Sequence, residues 1–248
     1  MPLLVLGVVR REHPPVTPAG QDEDDLGVRM VPSGPLAAAV LDIEDETQVD
    51  QQDAPQHLDL LIMLLRDGPV LPMSFGTVAP DDAAVREEVL DAAADDLTQR
   101  LDAVDGLVET RLDVSFDEAT ALRDLMQASP DIRGLAGEAR WAGAGLDTRV
   151  RLGEEVSLQL TDWRRAQADV LLARLTGPVR TVTELSSSDP LEQRWAFLVA
   201  EDRLGELDEA VAGLRSSLGK QAAIEYVGPL PVYSFLEEAA PAKSAWGW

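Results

Sequence analysis

The chain has 248 residues and no cysteine, and its 45 acidic side chains outnumber 21 basic ones, for a formal net charge of −24. A surface this negative repels phosphate backbones and anionic lipid headgroups, so we expect neither nucleic acid nor a membrane as a partner. The lack of cysteine excludes disulfides, thiolate nucleophiles and cysteine-ligated zinc. With 45% hydrophobic residues, the chain is expected to fold around a substantial core.

The first elements are predicted to be strands. Leu3–Val9 is an apolar run that is too short for a membrane helix and lacks the basic leader of a signal peptide. It therefore predicts a buried first strand in a cytoplasmic protein. Val28–Val31 and Leu36–Leu41 flank the sequence Pro-Ser-Gly-Pro, a pattern typical of a hairpin.

Two helices are predicted next. Pro55–Arg66 is apolar on all sides between Leu60 and Leu65, which indicates a largely buried helix. Pro80-Asp81-Asp82 opens the second helix, because proline suits a first turn and carboxylates there complement the helix dipole. Its predicted buried stripe consists of Val85, Val89, Ala93, Leu97, Leu101 and Val104.

The alternating segment Leu107–Phe116 predicts a strand with Val108, Leu112, Val114 and Phe116 on its apolar positions. A short helix around Glu118–Ala128 and then an irregular link are expected in the region that follows. A long helix is predicted over Gly153–Leu175. Its apolar side is predicted to consist of Val156, Leu160, Trp163, Val170 and Leu171.

The last part of the chain is predicted to return to strands. Val179–Leu185 and Trp195–Ala200 have the pattern of paired strands, and a helix follows Asp202 and ends at Gly219. Ala222–Val227 is the last predicted strand. We expect a rigid turn at Gly228-Pro229-Leu230-Pro231, leading into Val232–Leu236.

Strands and helices alternate with hairpin connections, which favours the α+β class, with each half a small sheet covered by helices on one face. We expect an N-terminal domain over residues 1–117 and a helical or irregular linker over 118–150. A C-terminal α+β domain with the long helix is expected over 151–238, followed by a flexible tail at 239–248.

The sequence offers little for catalysis. His13 and His57 are its only histidines, and two histidines without cysteine make a metal site unexpected. No phosphate-binding glycine loop and no nucleophile elbow are present. The clustered carboxylates have the pattern of solvated charge runs. We therefore expect no catalytic residue, no metal and no cofactor.

Two proline-rich segments do not fit a regular strand or helix, and they are the candidate partner-binding sites. In the first, prolines bracket an apolar strand, which indicates an edge or kinked strand that could accept a partner's strand. The second joins a rigid turn to amphipathic aromatic residues, which are common at interfaces. The candidate binding residues are Leu71, Met73, Phe75, Thr77, Tyr226, Leu230, Tyr233 and Phe235.

The same segments resemble those of a known family. Val70–Val78 is similar to the Leu-Pro-x-Arg-Phe-Gly-Thr signature of the gas vesicle protein F/L family, with Ser74 where arginine is usual. Gly228–Phe235 resembles its closing Gly-Pro-Trp-Pro-Pro-Tyr-x-Phe pattern, with Leu230 and Val232 in place of tryptophan and proline. Three further segments resemble family motifs, in the family's order: Gly34–Val40, Leu152–Val156 and Trp195–Val199.

This resemblance implies an accessory, non-enzymatic role in building gas vesicles, with two α+β domains of which the N-terminal one is ferredoxin-like. The implied partners are the small hydrophobic shell subunit, of the gas vesicle protein A type, and other gas vesicle accessory proteins. The implied location is the cytoplasm and the gas vesicle. Two alternatives stay open: a ligand-sensing or regulatory ferredoxin-like domain, and a hydrolase that uses carboxylates alone.

Overall fold

A computed structural model describes residues 1–14, 27–44, 50–141, 143 and 145–236. These residues form an α+β fold that contains two sheets, which confirms the predicted class. No helix in the described ranges is both long and apolar enough to cross a membrane.

The first sheet has the strand order β2-β3-β1-β4, and β5 also pairs with β1. All its pairings are antiparallel. Its strands are β1 (Leu3–Arg10), β2 (Val28–Ser33), β3 (Leu36–Asp42), β4 (Leu71–Pro72) and β5 (Val78–Ala79). The predicted first strand and the β2–β3 hairpin are thus confirmed, with Ser33 opposite Leu36 across a two-residue turn.

The second sheet has the strand order β7-β8-β6-β9. Its strands are β6 (Leu107–Phe116), β7 (Val179–Leu185), β8 (Glu192–Ala200) and β9 (Ala222–Leu230). The predicted pairing of β7 with β8 is confirmed. Strand β9 continues through Gly228 and Pro229 to Leu230, so the turn expected at those residues begins only after them.

The main helices are α1 (Ala54–Leu65), α2 (Asp82–Ala84), α3 (Ala94–Val104), α4 (Glu118–Ala128), α5 (Pro130–Arg140), α6 (Leu146–Leu175) and α7 (Leu204–Leu218). Helix α5 replaces the irregular link expected after α4. Its start is fixed locally, because the Ser129 side chain accepts a hydrogen bond from the Ile132 N–H and Pro130 occupies the first turn.

The second predicted helix is interrupted. Asp81 caps α2 by accepting a hydrogen bond from the Ala84 N–H at 2.9 Å. A π-helical stretch, Val85–Leu90, and a 3-10 turn, Asp91–Ala93, then separate α2 from α3. The π-helical stretch has more residues per turn than an α-helix and so rotates the buried face. Leu90 therefore joins the core, although the predicted stripe omits it.

Contacts divide the chain into two compact units. The first comprises Met1–Thr110, Leu198–Asp202 and Gly228–Trp248, and the second comprises Arg111–Phe197 and Arg203–Val227. The contiguous domain boundaries inferred from the sequence stay a prediction, and the tail expected at 239–248 lies outside the described residues.

Strand β1 forms the centre of the first unit. Seven consecutive residues, Leu3–Val9, are buried, so both faces of β1 are covered. The expectation that helices cover one face of this sheet stays a prediction. Both α1 and α3 contact this strand, and strands buried on both faces have a continuous apolar run rather than an alternating one.

Gly7 allows β4 to approach β1. A Cβ atom at this position would lie 2.8 Å from the Leu71 carbonyl oxygen, 3.0 Å from a Val70 methyl group and 3.2 Å from a Leu61 methyl group. The nearest of these atoms belongs to the backbone of the neighbouring strand, so the strand itself would have to move.

We predict that Gly7→Ala lowers the free energy of unfolding by roughly 1–3 kcal/mol, since the added methyl overpacks a closed core. Urea denaturation measures this. Gly213→Ala is the matched control, because Gly213 lies in α7 with no atom within 4 Å of its Cβ position. The control should gain up to about 1 kcal/mol from helix propensity. Equal stability of the Gly7 variant and the wild type would contradict the proposed close approach.

Candidate functional site

The first predicted binding segment forms an edge of the first sheet. Strands β4 and β5 both pair with β1, and the turn Ser74–Thr77 separates them. The Met73 N–H donates to the Leu6 carbonyl at 2.9 Å, and the Val5 N–H donates to the Thr77 carbonyl at 2.8 Å. The turn is closed by Thr77, whose N–H and hydroxyl both donate to the Ser74 carbonyl. The sequence-based prediction of a kinked edge strand is confirmed.

The structure argues against addition of a partner's strand at β4. Because successive residues of a strand direct their backbone groups to opposite sides, the nitrogen of Pro72 points away from β1. That nitrogen carries no hydrogen and cannot donate to an incoming strand. Both strands are also only two residues long. Short strands, proline and kinks protect sheet edges against strand pairing, so recognition here must use side chains.

Phe75 is the large side chain that this turn presents. It is half-buried, and its ring packs edge-on against the imidazole of His57, with 5.4 Å between ring centroids and an interplanar angle of 79°. His57 lies in α1 and is only 4% exposed. Phe75 thus packs against a buried aromatic ring and remains partly exposed.

Burial lowers the pKa of His57, and the nearby main chain of Met73 partly opposes that shift. No well-formed hydrogen bond joins either ring nitrogen to another described residue. The neutral imidazole is therefore the form that this site favours.

The second predicted segment lies at the end of β9. The Gly228–Pro229 peptide bond is cis. A Cβ atom at Gly228 would lie only 2.6 Å from the Thr110 methyl carbon. Only glycine fits against fully buried Thr110 at this point, which explains the glycine of the Gly-Pro-x-Pro sequence.

A buried carboxylate holds the turn that follows β9. Glu109, in β6, is fully buried and accepts three hydrogen bonds. Its Oε2 accepts from the backbone N–H groups of Tyr233 and Ser234 at 2.8 and 2.6 Å, and its Oε1 accepts from the Ser234 hydroxyl at 2.9 Å. Two consecutive N–H groups that converge on one oxygen form an anion-binding nest, here filled by the protein's own carboxylate.

The predicted binding residues divide by exposure. Four are buried: Leu71, Met73, Leu230 and Phe235. Four are half-buried: Phe75, Thr77, Tyr226 and Tyr233. The half-buried residues can contact a partner without rearrangement, whereas the buried ones hold the segments in place. Tyr226 belongs to the second unit, where its hydroxyl donates to Asp208 of α7 at 2.8 Å.

Neither the hydrogen bonds of Glu109 nor the packing of His57 against Phe75 was predicted from the sequence. The alternating pattern of β6 assigned the apolar positions but did not distinguish Glu109 from the exposed acids elsewhere. One signal was present: Glu109 lies between Val108 and Thr110 in a strand whose first four residues, Leu107–Thr110, are all buried. A lone carboxylate in such a position must find hydrogen-bond donors.

A cavity of about 190 Å³ lies in the second unit, between α6 and strands β7 and β8. Arg164, Asp169, Glu184 and Gln193 contribute polar groups to its wall, and Trp195 an aromatic one. Ligand pockets usually enclose about 300–1,000 Å³, so this space suits a single side chain better than a substrate. Among the described residues, no group of three or more His, Asp or Glu side chains is placed to hold a metal ion.

The chain is similar to proteins of known kind along nearly its whole length. The family of gas vesicle synthesis proteins GvpL/GvpF matches residues 2–237. Gas vesicle protein F of Streptomyces sp. (strain CB03234) is 31% identical over 240 residues, which cover 96% of this chain and 100% of that protein. Gas vesicle protein F of Dolichospermum flosaquae is 20% identical over 172 residues, covering 68% and 69% of the two chains.

Two crystal structures share the fold. GvpF from Anabaena sp. PCC7120 superimposes with a TM-score of 0.80 at 15% identity, covering 98% of this chain and 99% of that one. GvpF from Microcystis aeruginosa gives a TM-score of 0.74 at 16% identity, covering 94% and 98%. At these identities the superpositions support the α+β architecture alone.

We predict that acidification weakens the fold through His57. Because burial lowers its pKa in the folded state, the unfolded chain takes up the proton first as the pH falls below the ordinary histidine value of about 6.5. The free energy of unfolding should therefore decrease from there toward the folded-state pKa. Urea denaturation at about pH 7.5 and about pH 5.5 should show a smaller decrease in His57→Phe than in the wild type.

Gly213→Ala is the control for this measurement, because it changes no titratable group and lies in α7 with no atom within 4 Å of its Cβ position. It should keep the pH dependence of the wild type. If His57→Phe keeps the full decrease, the pH dependence arises from other groups.

We predict that Glu109→Ala loosens the turn after β9. The substitution leaves the N–H groups of Tyr233 and Ser234 without their acceptor, at a cost of about 1–3 kcal/mol for a buried donor that loses its partner. Hydrogen exchange of these two amides should accelerate. Glu225→Ala, at an exposed acid of β9, is the control and should leave their exchange unchanged. Unchanged protection in Glu109→Ala would show that the carboxylate does not hold the turn.

Proposed function

The chain belongs to the family of gas vesicle synthesis proteins GvpL/GvpF, and from this premise we propose that it binds the small hydrophobic shell subunit during gas vesicle assembly. Its role in gas vesicle assembly follows from the family, and the resemblance drawn from the proline-rich motifs is confirmed. We place its action in the cytoplasm and on the vesicle, by binding rather than by catalysis, with other gas vesicle accessory proteins as further partners.

The observation that carries the proposal is the way in which Phe75 is presented. The ring lies on a hydrogen-bonded turn at a sheet edge, is packed against buried His57 on one side and remains partly exposed. A fixed aromatic side chain loses little entropy on binding and contributes strongly to interfaces. Thr77 belongs to the same turn, and buried Leu71 and Met73 anchor the chain before it.

Tyr233 provides a second anchored aromatic residue in the first unit. Its backbone is fixed by Glu109, and buried Leu230 and Phe235 lie on either side of it in the chain. Tyr226 provides an aromatic residue in the second unit, with its hydroxyl fixed by Asp208. We infer that the partly exposed residues contact the shell subunit and that the buried ones keep them in position.

The charge of the molecule supports the same role. An apolar shell subunit exposes surface that aggregates in water before it is assembled. A partner with a formal net charge of −24 keeps such a complex soluble and repels other copies of the complex. The proposal therefore combines fixed aromatic contacts with electrostatic protection against premature association.

Binding of purified shell subunit to immobilised protein tests the proposal. Phe75→Ala and Tyr233→Ala should each weaken binding about tenfold or more, as expected when a central aromatic contact is removed. Val170→Ala, at an exposed apolar position of α6, is the control and should bind like the wild type. Circular dichroism confirms that each variant is folded. Equal binding by folded Phe75→Ala and Tyr233→Ala variants would remove both residues from the contact.

A further inference from the structure

Helix α6 has more apolar surface than its own unit covers. The packed side of its first half is formed by Leu152, Val156, Leu160 and Trp163. These residues contact a cluster of α4 and α5 that includes Leu125 and Ile132. The packing accounts for one side of the helix only.

The other apolar side chains of this region are exposed. Leu146 is 79% exposed, Val150 47% and Leu158 67%, and Trp141, just before the helix, is 71% exposed. The three helix residues fall within an arc of about 120°, since each residue turns the helix by about 100°. The predicted apolar side of α6 did not include them. Such a concentration of exposed apolar side chains marks an interaction surface.

The charged side chains of this stretch follow one another in groups of one sign. Asp147 comes first, Arg149 and Arg151 follow, and Glu154 and Glu155 come last. Within the described residues, Arg149, Arg151 and Glu154 make no hydrogen bond or ion pair, and Glu155 accepts only from Gln159. The two arginines thus come just before the two glutamates along the helix. None of these four side chains has a charged partner among the described residues.

Gly153 lies between the two charged pairs. Nothing lies within 4 Å of the position that its Cβ would occupy, so packing inside the unit does not require a glycine there. A glycine inside a helix costs about 1 kcal/mol relative to alanine. It does allow another backbone to approach closely at that point.

We propose that the exposed face of α6 formed by Leu146, Val150 and Leu158 binds the same face of a second copy of the chain. The two helices are antiparallel, and the two-fold axis crosses them at the level of residues 152 and 153. Reversal about this point places Leu146 of each copy beside Leu158 of the other, and Arg151 of each copy near Glu154 of the other. Apolar contacts and opposite charges then both occur twice, as a self-complementary contact requires. Because Arg151 and Glu154 can pair between two copies of this chain, a second copy is the binding partner that we propose for this face.

A second copy must bind against the repulsion between two chains that each carry a net charge of −24. Over residues 146–158 two arginines stand against three acidic side chains, Asp147, Glu154 and Glu155, so the contact depends on its apolar pairs and on the two Arg151–Glu154 pairs. The contact from residue 146 to residue 158 is about 18 Å long, at the small end for specific interfaces, so we expect a weak and reversible dimer.

Sedimentation equilibrium of the full chain over a range of concentrations is the first test. The wild type should show a reversible monomer–dimer equilibrium. Leu158→Glu should weaken the dimer at least tenfold, because it places a charge in the apolar contact of both copies. Val170→Glu is the matched control on the same helix, since Val170 is 53% exposed but lies outside the contact. It should dimerise like the wild type.

A charge exchange tests the antiparallel arrangement itself. Arg151→Glu and Glu154→Arg should each weaken self-association about tenfold, because each creates two like-charged pairs. An equimolar mixture of the two variants should form a heterodimer, since both of its pairs are again opposite in charge. The double variant should dimerise like the wild type.

A wild type that stays monomeric up to about 1 mM would overturn the proposal. So would a mixture of the two charge variants that associates no better than each variant alone. The inference is independent of the proposed shell-subunit contact, because Phe75 and Tyr233 are not altered in any of these variants. Loss of shell-subunit binding with dimerisation intact, or the reverse, therefore separates the two proposals.

Discussion

Complete burial of strand β1 is the constraint on which the first unit depends. Its two faces are covered, and its two edges are paired with β3 on one side and with β4 and β5 on the other. Gly7 makes the second pairing possible, because any larger residue would meet the β4 backbone. The pairing in turn fixes both ends of the Ser74–Thr77 turn. The position of Phe75 is therefore a consequence of how closely two backbones can approach.

Both aromatic residues of the first unit that are proposed as contacts depend on buried polar groups. Phe75 lies against the imidazole of His57, and Tyr233 follows a backbone held by the carboxylate of Glu109. Buried polar groups are costly unless the surrounding structure satisfies them. Glu109 is satisfied by three hydrogen bonds, whereas His57 is kept in its neutral form by burial. Hydrogen bonds to Glu109 thus hold the segment of Tyr233, whereas ring packing against neutral His57 holds Phe75.

The second unit shows how charge and apolar surface can be separated within an acidic protein. Most of the excess negative charge keeps the chain soluble and discourages contact. On the first half of α6, exposed leucine and valine side chains stand beside Arg151 and Glu154, whose charges are opposite. The proposed self-association uses these two charges and the apolar side chains around them, and so occupies one face of the helix. The proposed aromatic contacts of the first unit and this helix face can therefore serve different partners.

Sequence patterns alone were enough to predict the α+β class, the β2–β3 hairpin, the kinked edge at Leu71–Val78 and the family. These depend on local patterns: proline and glycine in turns, alternating or continuous apolar runs, and short motifs in a fixed order. Only the tertiary structure showed that Leu71, Met73, Leu230 and Phe235 are buried, that β9 continues to Leu230 and that α5 exists. It also revealed Glu109 and His57 as supports. Burial and hydrogen bonding join residues distant in the chain, such as Glu109 and Ser234, and a local pattern contains no information on which distant residues will meet.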